Sequence, residues 1–113
     1  MKPNPFIVLA AALLSTAIAQ AMPSAQLARE KQCFQCHAVD RHVIGPSFET
    51  MGAIYRRMKN PVPKMADVIR GGSDAHLGPL WDRARMPDDS ERPAVSESEA
   101  KQLARWILAT RPR

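Results

Sequence analysis

The sequence lacks three patterns, and each absence excludes a class of protein. No stretch alternates apolar and polar residues with a period of two, so a β-sheet protein is not expected. No basic stripe is interleaved with aromatic side chains, of which there are only six (three Phe, two Trp, one Tyr), and nucleic acid is not an expected partner. The N-terminal apolar run, residues 6–19, is shorter than the roughly 20 residues of a membrane-spanning helix.

The N-terminus has the three parts of a secretory signal peptide. Lys2 supplies the positive charge, residues 6–19 form the apolar core, and an A-x-A cleavage site ends at Ala21. We therefore expect residues 1–21 to be removed on export, which leaves one domain of residues 22–113. No cysteine directly follows the cleavage site, so a lipid anchor is not expected there. Stable membrane insertion is not expected either once the signal peptide has been removed.

The remaining domain is small and basic. A chain this short buries a modest core and commonly needs a metal or a covalent cofactor to stabilise it. The net charge is +5 for the whole chain and falls to +4 when Lys2 leaves with the signal peptide. This surplus suits an acidic protein partner or an anionic membrane surface, and equally a merely soluble basic surface.

Four stretches after the signal peptide have helical periodicity. The first runs from about Ser24 to Gln32. The second begins after Ser47, a plausible N-cap, and its apolar face consists of Phe48, Met51, Tyr55 and Met58.

The third and fourth helices have clearer start and stop signals. Asn60 is the expected cap of the third, Pro61 its first residue and Gly71-Gly72 its end. The fourth follows a capping box at residues 96–99 and ends before Pro112. Between Gly71 and Val95 the sequence has no period. So long an irregular connection in a small domain indicates that a large ligand organises it.

Cys33-Phe34-Gln35-Cys36-His37 is a C-x-x-C-H motif, which attaches c-type haem. Two thiols three residues apart can each add to a haem vinyl group, and His37 then presents an imidazole nitrogen to the iron. A thioredoxin-like dithiol would need a βαβ pattern, and a zinc site would need four ligands. Only His42 and His76 remain as further ligands, and a disulfide across so short a loop would stabilise little. One covalent haem c is therefore the expected cofactor.

The sixth iron ligand must be one of several methionines and histidines. A methionine on a helical apolar face is more often a core residue, which accounts for three of them. His42 is too near His37 to reach the opposite haem face, and Met86 alone is unexplained by packing. Met86 is therefore the predicted distal ligand. The full set of candidates is Met22, Met51, Met58, Met65, Met86, His42 and His76.

These motifs together resemble the small bacterial class I monohaem cytochromes c that carry electrons in the periplasm. The resemblance covers nearly all of residues 22–113 and implies an all-α fold, with about four helices and long loops wrapped round the haem. It implies that the Pro46 carbonyl accepts the ring N–H of His37, and that Trp81, five residues before Met86, hydrogen-bonds a haem propionate.

The sequence departs from the family pattern at several positions. Gln32 stands where glycine is usual before the first cysteine, and the first helix has no aromatic residue, so Trp106 is expected to fill the gap between the terminal helices. Val68 stands where an arginine commonly meets a propionate, and Arg70 or Arg83 would have to replace it.

The resemblance implies one-electron transfer between respiratory redox partners in the periplasm. A His/Met pair leaves no open iron position for a substrate, so no enzymatic activity is expected. The basic Arg41, Arg83 and Arg85 favour partners with acidic docking patches. One alternative is the dedicated cytochrome subunit of a periplasmic dehydrogenase. A less favoured one is a haem sensor or peroxidase with a displaceable methionine.

Overall fold

The computed structural model describes residues 1–3, 12, 21–72 and 85–113, and these ranges contain four α-helices and no β-strand. The helices are α1 (Ser24–Glu30), α2 (Phe48–Tyr55), α3 (Pro61–Gly71) and α4 (Glu97–Ala109), with a 3-10 turn at Cys33–Gln35. The all-α prediction is confirmed. In the described part of the chain, no helix has the length and apolar character needed to cross a membrane.

The helix starts follow side-chain capping at two of the predicted positions. The Oγ of Ser47 accepts from the Thr50 amide at 3.0 Å, at the start of α2. At α4, Ser96 and Glu99 form the predicted capping box, each side chain accepting from the other residue's amide at 3.1 and 2.9 Å. Such a cap contributes about 1 kcal/mol of stability.

Two sequence predictions about the helix ends are wrong. Asn60 precedes Pro61 but makes no side-chain cap, because its backbone is left-handed with φ of 51°. Met58 does not continue the apolar face of α2. The helix ends at Tyr55, the chain turns through a hydrogen bond from the Met58 amide to the Tyr55 carbonyl, and Met58 is 39 % exposed.

The core forms around α4, which packs against each of the other three helices. Its buried face consists of Ala100, Leu103, Ala104 and Ile107. Small residues allow close approach, since Ala100 and Ala104 of α4 and Ala28 of α1 are fully buried. The buried apolar cluster in the described residues comprises Leu27, Ala28, Phe48, Met65, Ala66, Ile69, Val95, Ala100, Leu103, Ala104 and Ile107.

Met22, at the predicted new N-terminus, is also attached to α4. Its side chain packs against the core, and its carbonyl accepts from Nε2 of Gln102 at 2.5 Å. Met22 is therefore held against the core at the start of α1. Gln102 also lies within 3.3 Å of the Ser24 hydroxyl, so one α4 side chain contacts the start of α1 at two points.

Substitution of two helical glycines by alanine tests this packing. A Cβ on Gly52 would lie 2.6 Å from the Ile107 carbonyl oxygen, whereas a Cβ on Gly71 would meet nothing within 4 Å. Gly52→Ala should lower the free energy of unfolding by about 1–3 kcal/mol because α2 and α4 must separate. Gly71→Ala should leave it unchanged or raise it by up to about 1 kcal/mol. Guanidinium unfolding of both variants measures the difference, and equal stability would contradict the close α2–α4 contact.

Candidate haem-binding site

The C-x-x-C-H segment leaves α1 through an unusual backbone conformation at Gln32. Its φ of 63° lies in the left-handed region, which explains why glycine is usual at this position. For a residue with a side chain, that conformation costs about 1–2 kcal/mol. The amides of Cys36 and His37 then both donate to the Cys33 carbonyl, at 3.2 and 3.0 Å. Both cysteines and His37 are thereby held on one turn.

His37 is oriented by a hydrogen bond at one ring nitrogen. The side chain is nearly buried, and its Nδ1–H donates to the Pro46 carbonyl at 2.7 Å. The ring stacks on Phe48 with centroids 5.5 Å apart. Because a carbonyl can only accept, this bond places the proton on Nδ1 and leaves the Nε2 lone pair free to bind a metal.

The loop from Ala38 to Pro46 folds back to make this contact. The amides of Ile44 and Gly45 donate to the Cys36 carbonyl at 3.2 and 2.7 Å. A Cβ on Gly45 would lie 2.7 Å from Cε1 of His37, so only glycine leaves room for the ring in this position. The sequence Gly45-Pro46 thus supplies both the space and the acceptor.

Burial shifts the pKa values of His37 and Cys33. It lowers the pKa of His37, and the hydrogen bond to Pro46 opposes that shift only in part. Burial likewise raises the pKa of the Cys33 thiol. The neutral imidazole is the form that binds iron, so the surroundings of His37 favour a ligand.

An apolar, partly open pocket lies between this turn and the helices. Cys33, His37 and Met86 all line it. The half-buried Cys36 lies on the same turn as Cys33. The remaining lining residues are Ala28, Phe48, Met51, Tyr55, Met65, Val68, Ile69, Leu103, Trp106 and Ile107.

Met86 reaches the pocket because its backbone lies against the end of α3. Gly72 has φ of 74°, and a Cβ there would lie 2.5 Å from the Met86 carbonyl oxygen. The glycine therefore permits a positive φ at the end of α3 and close approach of the Met86 segment.

The pocket residues fit a haem. A macrocycle is largely apolar and matches the lining, while the iron accepts an imidazole nitrogen and a thioether sulfur. His37 presents a free Nε2, Met86 supplies a thioether, and Cys33 supplies a thiol at the pocket edge.

Other predicted site residues either fall outside the described residues or make other contacts. Trp81, His76 and Arg83 fall outside the described residues. His42 is exposed and pairs with the backbone of His37, on the proximal side. Arg70 donates from Nε to the Val95 carbonyl at 3.2 Å.

Sequence reasoning missed two features of the site. Phe34, inside the C-x-x-C-H motif, packs edge-on against Phe48 and Trp106, with centroids 5.6 and 6.4 Å away. Trp106 also contacts Phe48 at 5.0 Å, so its ring partners belong to α2 and the 3-10 turn.

Arg92, whose side chain is only 9 % exposed, was likewise missed because nothing in its neighbouring sequence marks it.

Comparison with known proteins places the chain in a family. The cytochrome c family model matches residues 21–111. Cytochrome c-552 of Nitrosomonas europaea is 36 % identical over 99 residues, covering 88 % of this chain and 87 % of that protein. Cytochrome c-551 of Pseudomonas aeruginosa is 30 % identical, covering 94 % of this chain and 97 % of that protein. The chain belongs to the cytochrome c family.

Solved structures agree with this assignment. The crystal structure of wild-type Nitrosomonas europaea cytochrome c552 has a TM-score of 0.64 and 33 % identity, covering 77 % of this chain and 99 % of that one. Class 1 cytochrome MtoD from Sideroxydans lithotrophicus has a TM-score of 0.60 at 28 % identity, covering 77 % and 91 %. The fold is that of the class I cytochromes c. The protein carries one covalent haem c and transfers electrons to and from redox partners, rather than acting as an enzyme.

Gly45→Ala tests the construction of the proximal side. The added methyl group should push the His37 ring away and weaken its hydrogen bond to Pro46, because the new Cβ would lie only 2.7 Å from Cε1 of the ring. We expect a loss of about 1–3 kcal/mol in unfolding free energy. We also expect faster solvent exchange of the His37 ring N–H, measured by NMR. Gly71→Ala is the control. Unchanged exchange in Gly45→Ala would show that the loop does not hold the ring.

Proposed function

We propose that this protein is an exported one-electron carrier whose haem iron is bound by His37 and Met86 and whose haem is attached through Cys33 and Cys36. One observation carries the proposal: Cys33, His37 and Met86, which come from two separate segments of the chain, line the same apolar pocket. Every one of these residues has the chemistry that the assigned role requires.

The haem supplies the one-electron couple of ferric and ferrous iron. The protein contributes the environment that sets the potential. The thioether of Met86 favours ferrous iron. The apolar lining excludes water and so also favours the ferrous state, which is the less charged of the two. The Pro46 carbonyl holds the ring of His37 and raises its basicity. With protein ligands on both faces, no iron position is open to a substrate.

Removal of residues 1–21 and function in the periplasm belong to the same proposal. The charged start, apolar run and A-x-A site support export, and the family match begins at residue 21, one residue before the expected start of the mature chain. Export also agrees with the haem, because c-type haem is attached outside the cytoplasm.

The partner surface is proposed to include the loop that carries Met86, here called the distal loop, and the loop beside His37. Arg85 is exposed in the distal loop, although it pairs with Glu91. Arg41 is exposed next to Asp40, its partner at 3.6 Å. Three exposed apolar side chains, Val39, Val43 and Ile44, lie on the loop that contains Arg41. An acidic patch on a respiratory redox partner would complement such a surface, and charge would mainly accelerate encounter. The contact of Trp81 with a propionate remains a prediction from the resemblance.

Replacement of Met86 tests the iron ligand. Met86→Ala should abolish the weak near-infrared band of methionine-bound ferric haem, lower the reduction potential and allow carbon monoxide to bind the ferrous protein. Met51→Ala and Met65→Ala are matched controls, because both methionines line the same pocket and both lie on helices. Survival of the band in Met86→Ala, with its loss in either control, would show that Met86 is not the iron ligand.

Charge reversal tests the docking surface. Arg83→Glu combined with Arg85→Glu should slow electron transfer to an acidic partner and leave the absorption spectrum unchanged. In the wild type, the rate should fall as salt shortens the Debye length below about 10 Å. Arg111→Glu with Arg113→Glu makes the same change in net charge beyond the end of α4. Stopped-flow rates at several salt concentrations compare the three proteins. A salt-independent rate, or equal slowing in both double variants, would contradict this surface.

A further inference from the structure

The segment that carries Met86 must be held in place without regular structure. Residues 85–96 lie between the end of α3 and the start of α4 and contain no helix. Asp88 organises a local turn, in which its Oδ1 accepts from the amide and hydroxyl of Ser90 at 2.8 and 2.5 Å. The Glu91 amide closes this turn on the Asp88 carbonyl at 3.1 Å. These bonds shape the segment but do not attach it to the rest of the protein.

Arg92 attaches the part of the segment that is next to Met86. Its Nε donates to the carbonyl of Pro87, the residue after Met86, at 3.1 Å. The same guanidinium donates to the Ile69 carbonyl in the last turn of α3 and pairs with Asp89 at 3.0 Å. Nη1 of Arg92 also donates to the Pro93 carbonyl at 3.3 Å. One planar group thus joins both sides of the loop to α3, an arrangement that a single ammonium group could not reproduce.

The position of Arg92 differs from that of the other arginines nearby. Arg70 fixes the far end of the segment at Val95, and Arg85 is about half exposed in its pair with Glu91. Arg92 alone among these three combines near-complete burial with a bond to the residue following Met86. Burying a guanidinium is costly unless its donors are satisfied, and here several carbonyls and a carboxylate satisfy them.

The positive charge of Arg92 is buried in the loop that carries Met86. A buried positive charge near the haem favours the ferrous state, which carries one positive charge fewer than the ferric state.

We propose that Arg92 is a positioning residue, which clamps the Met86 segment to the C-terminal turn of α3 and so keeps the thioether on the iron. The inference rests on the proposed role of Met86 as sixth ligand. The near-infrared band of the wild-type ferric protein tests that role independently. If the wild type lacks the band, the proposed ligation fails. If the band is present, the variants below decide the role of Arg92.

The experiment measures the affinity of the ferric holoprotein for imidazole, which competes with Met86. Arg92→Gln removes the positive charge and most of the N–H donors. Arg92→Lys keeps the charge but loses the planar guanidinium group. Both variants should bind imidazole at least about tenfold more tightly than the wild type. This factor corresponds to the loss of one charge-assisted hydrogen bond that holds the Met86 segment. The reduction potential should fall further in Arg92→Gln, which loses the charge as well.

Two controls separate positioning from general effects. Arg105→Gln removes one charge from an exposed position on α4, and Gly52→Ala destabilises the fold away from the loop. Neither should change the imidazole affinity. If Arg92→Gln does not fold, Arg92→Lys alone decides the outcome. Imidazole affinity within twofold of the wild type in the Arg92 variants, or an equal rise in Gly52→Ala, would overturn the proposal.

Discussion

The apolar pocket beside the C-x-x-C-H turn is the feature on which the rest of the structure depends. Of the eleven residues in the buried cluster of the described chain, six also line the pocket, among them Met65, Leu103 and Ile107. The hydrophobic core is therefore largely a shell around the haem site. In a domain this small, burial of protein side chains against one another provides little surplus stability. A haem in the pocket completes the core, so cofactor binding and folding are expected to be one process.

The basic side chains have a structural role that composition alone does not reveal. Lys31 donates to the Ala94 carbonyl at 2.7 Å. Arg56 donates to the carbonyls of Leu108 and Thr110, at 2.7 and 3.3 Å, and so caps the end of α4. Arg70 and Arg92 bind carbonyls around the distal loop in the same way. Part of the positive surplus therefore joins helix ends and loops, and only the exposed remainder is available for a partner.

Much of the fold and most of the site could be predicted because their signals are local. The capping box at Ser96, Pro61 at the start of α3 and the motif from Cys33 to His37 are each contained within five residues. Elimination predicted Met86 as the distal ligand, and Met86 does line the pocket, while its bond to the iron stays a prediction. The turn after Tyr55, which exposes Met58, and the left-handed Asn60 have no such local signal.

Contacts between distant segments were beyond sequence reasoning. Arg92 bonds to Ile69, 23 residues earlier, and Arg56 to Leu108, 52 residues later. An arginine in a polar loop is ordinarily solvated, and only the folded chain shows which carbonyls surround it. The edge-on packing of Phe34 against Trp106 is hidden for the same reason, because both residues also fit other roles.

The most direct test of this account compares the holoprotein with a haem-free chain in which Cys33 and Cys36 are both replaced by Ala. Circular dichroism and thermal unfolding report whether the shell of helices forms without the cofactor. The holoprotein should melt cooperatively, whereas the haem-free chain should be largely unfolded at room temperature, because its core lacks the group it surrounds. A cooperative, native-like melt of the haem-free chain would contradict the central claim.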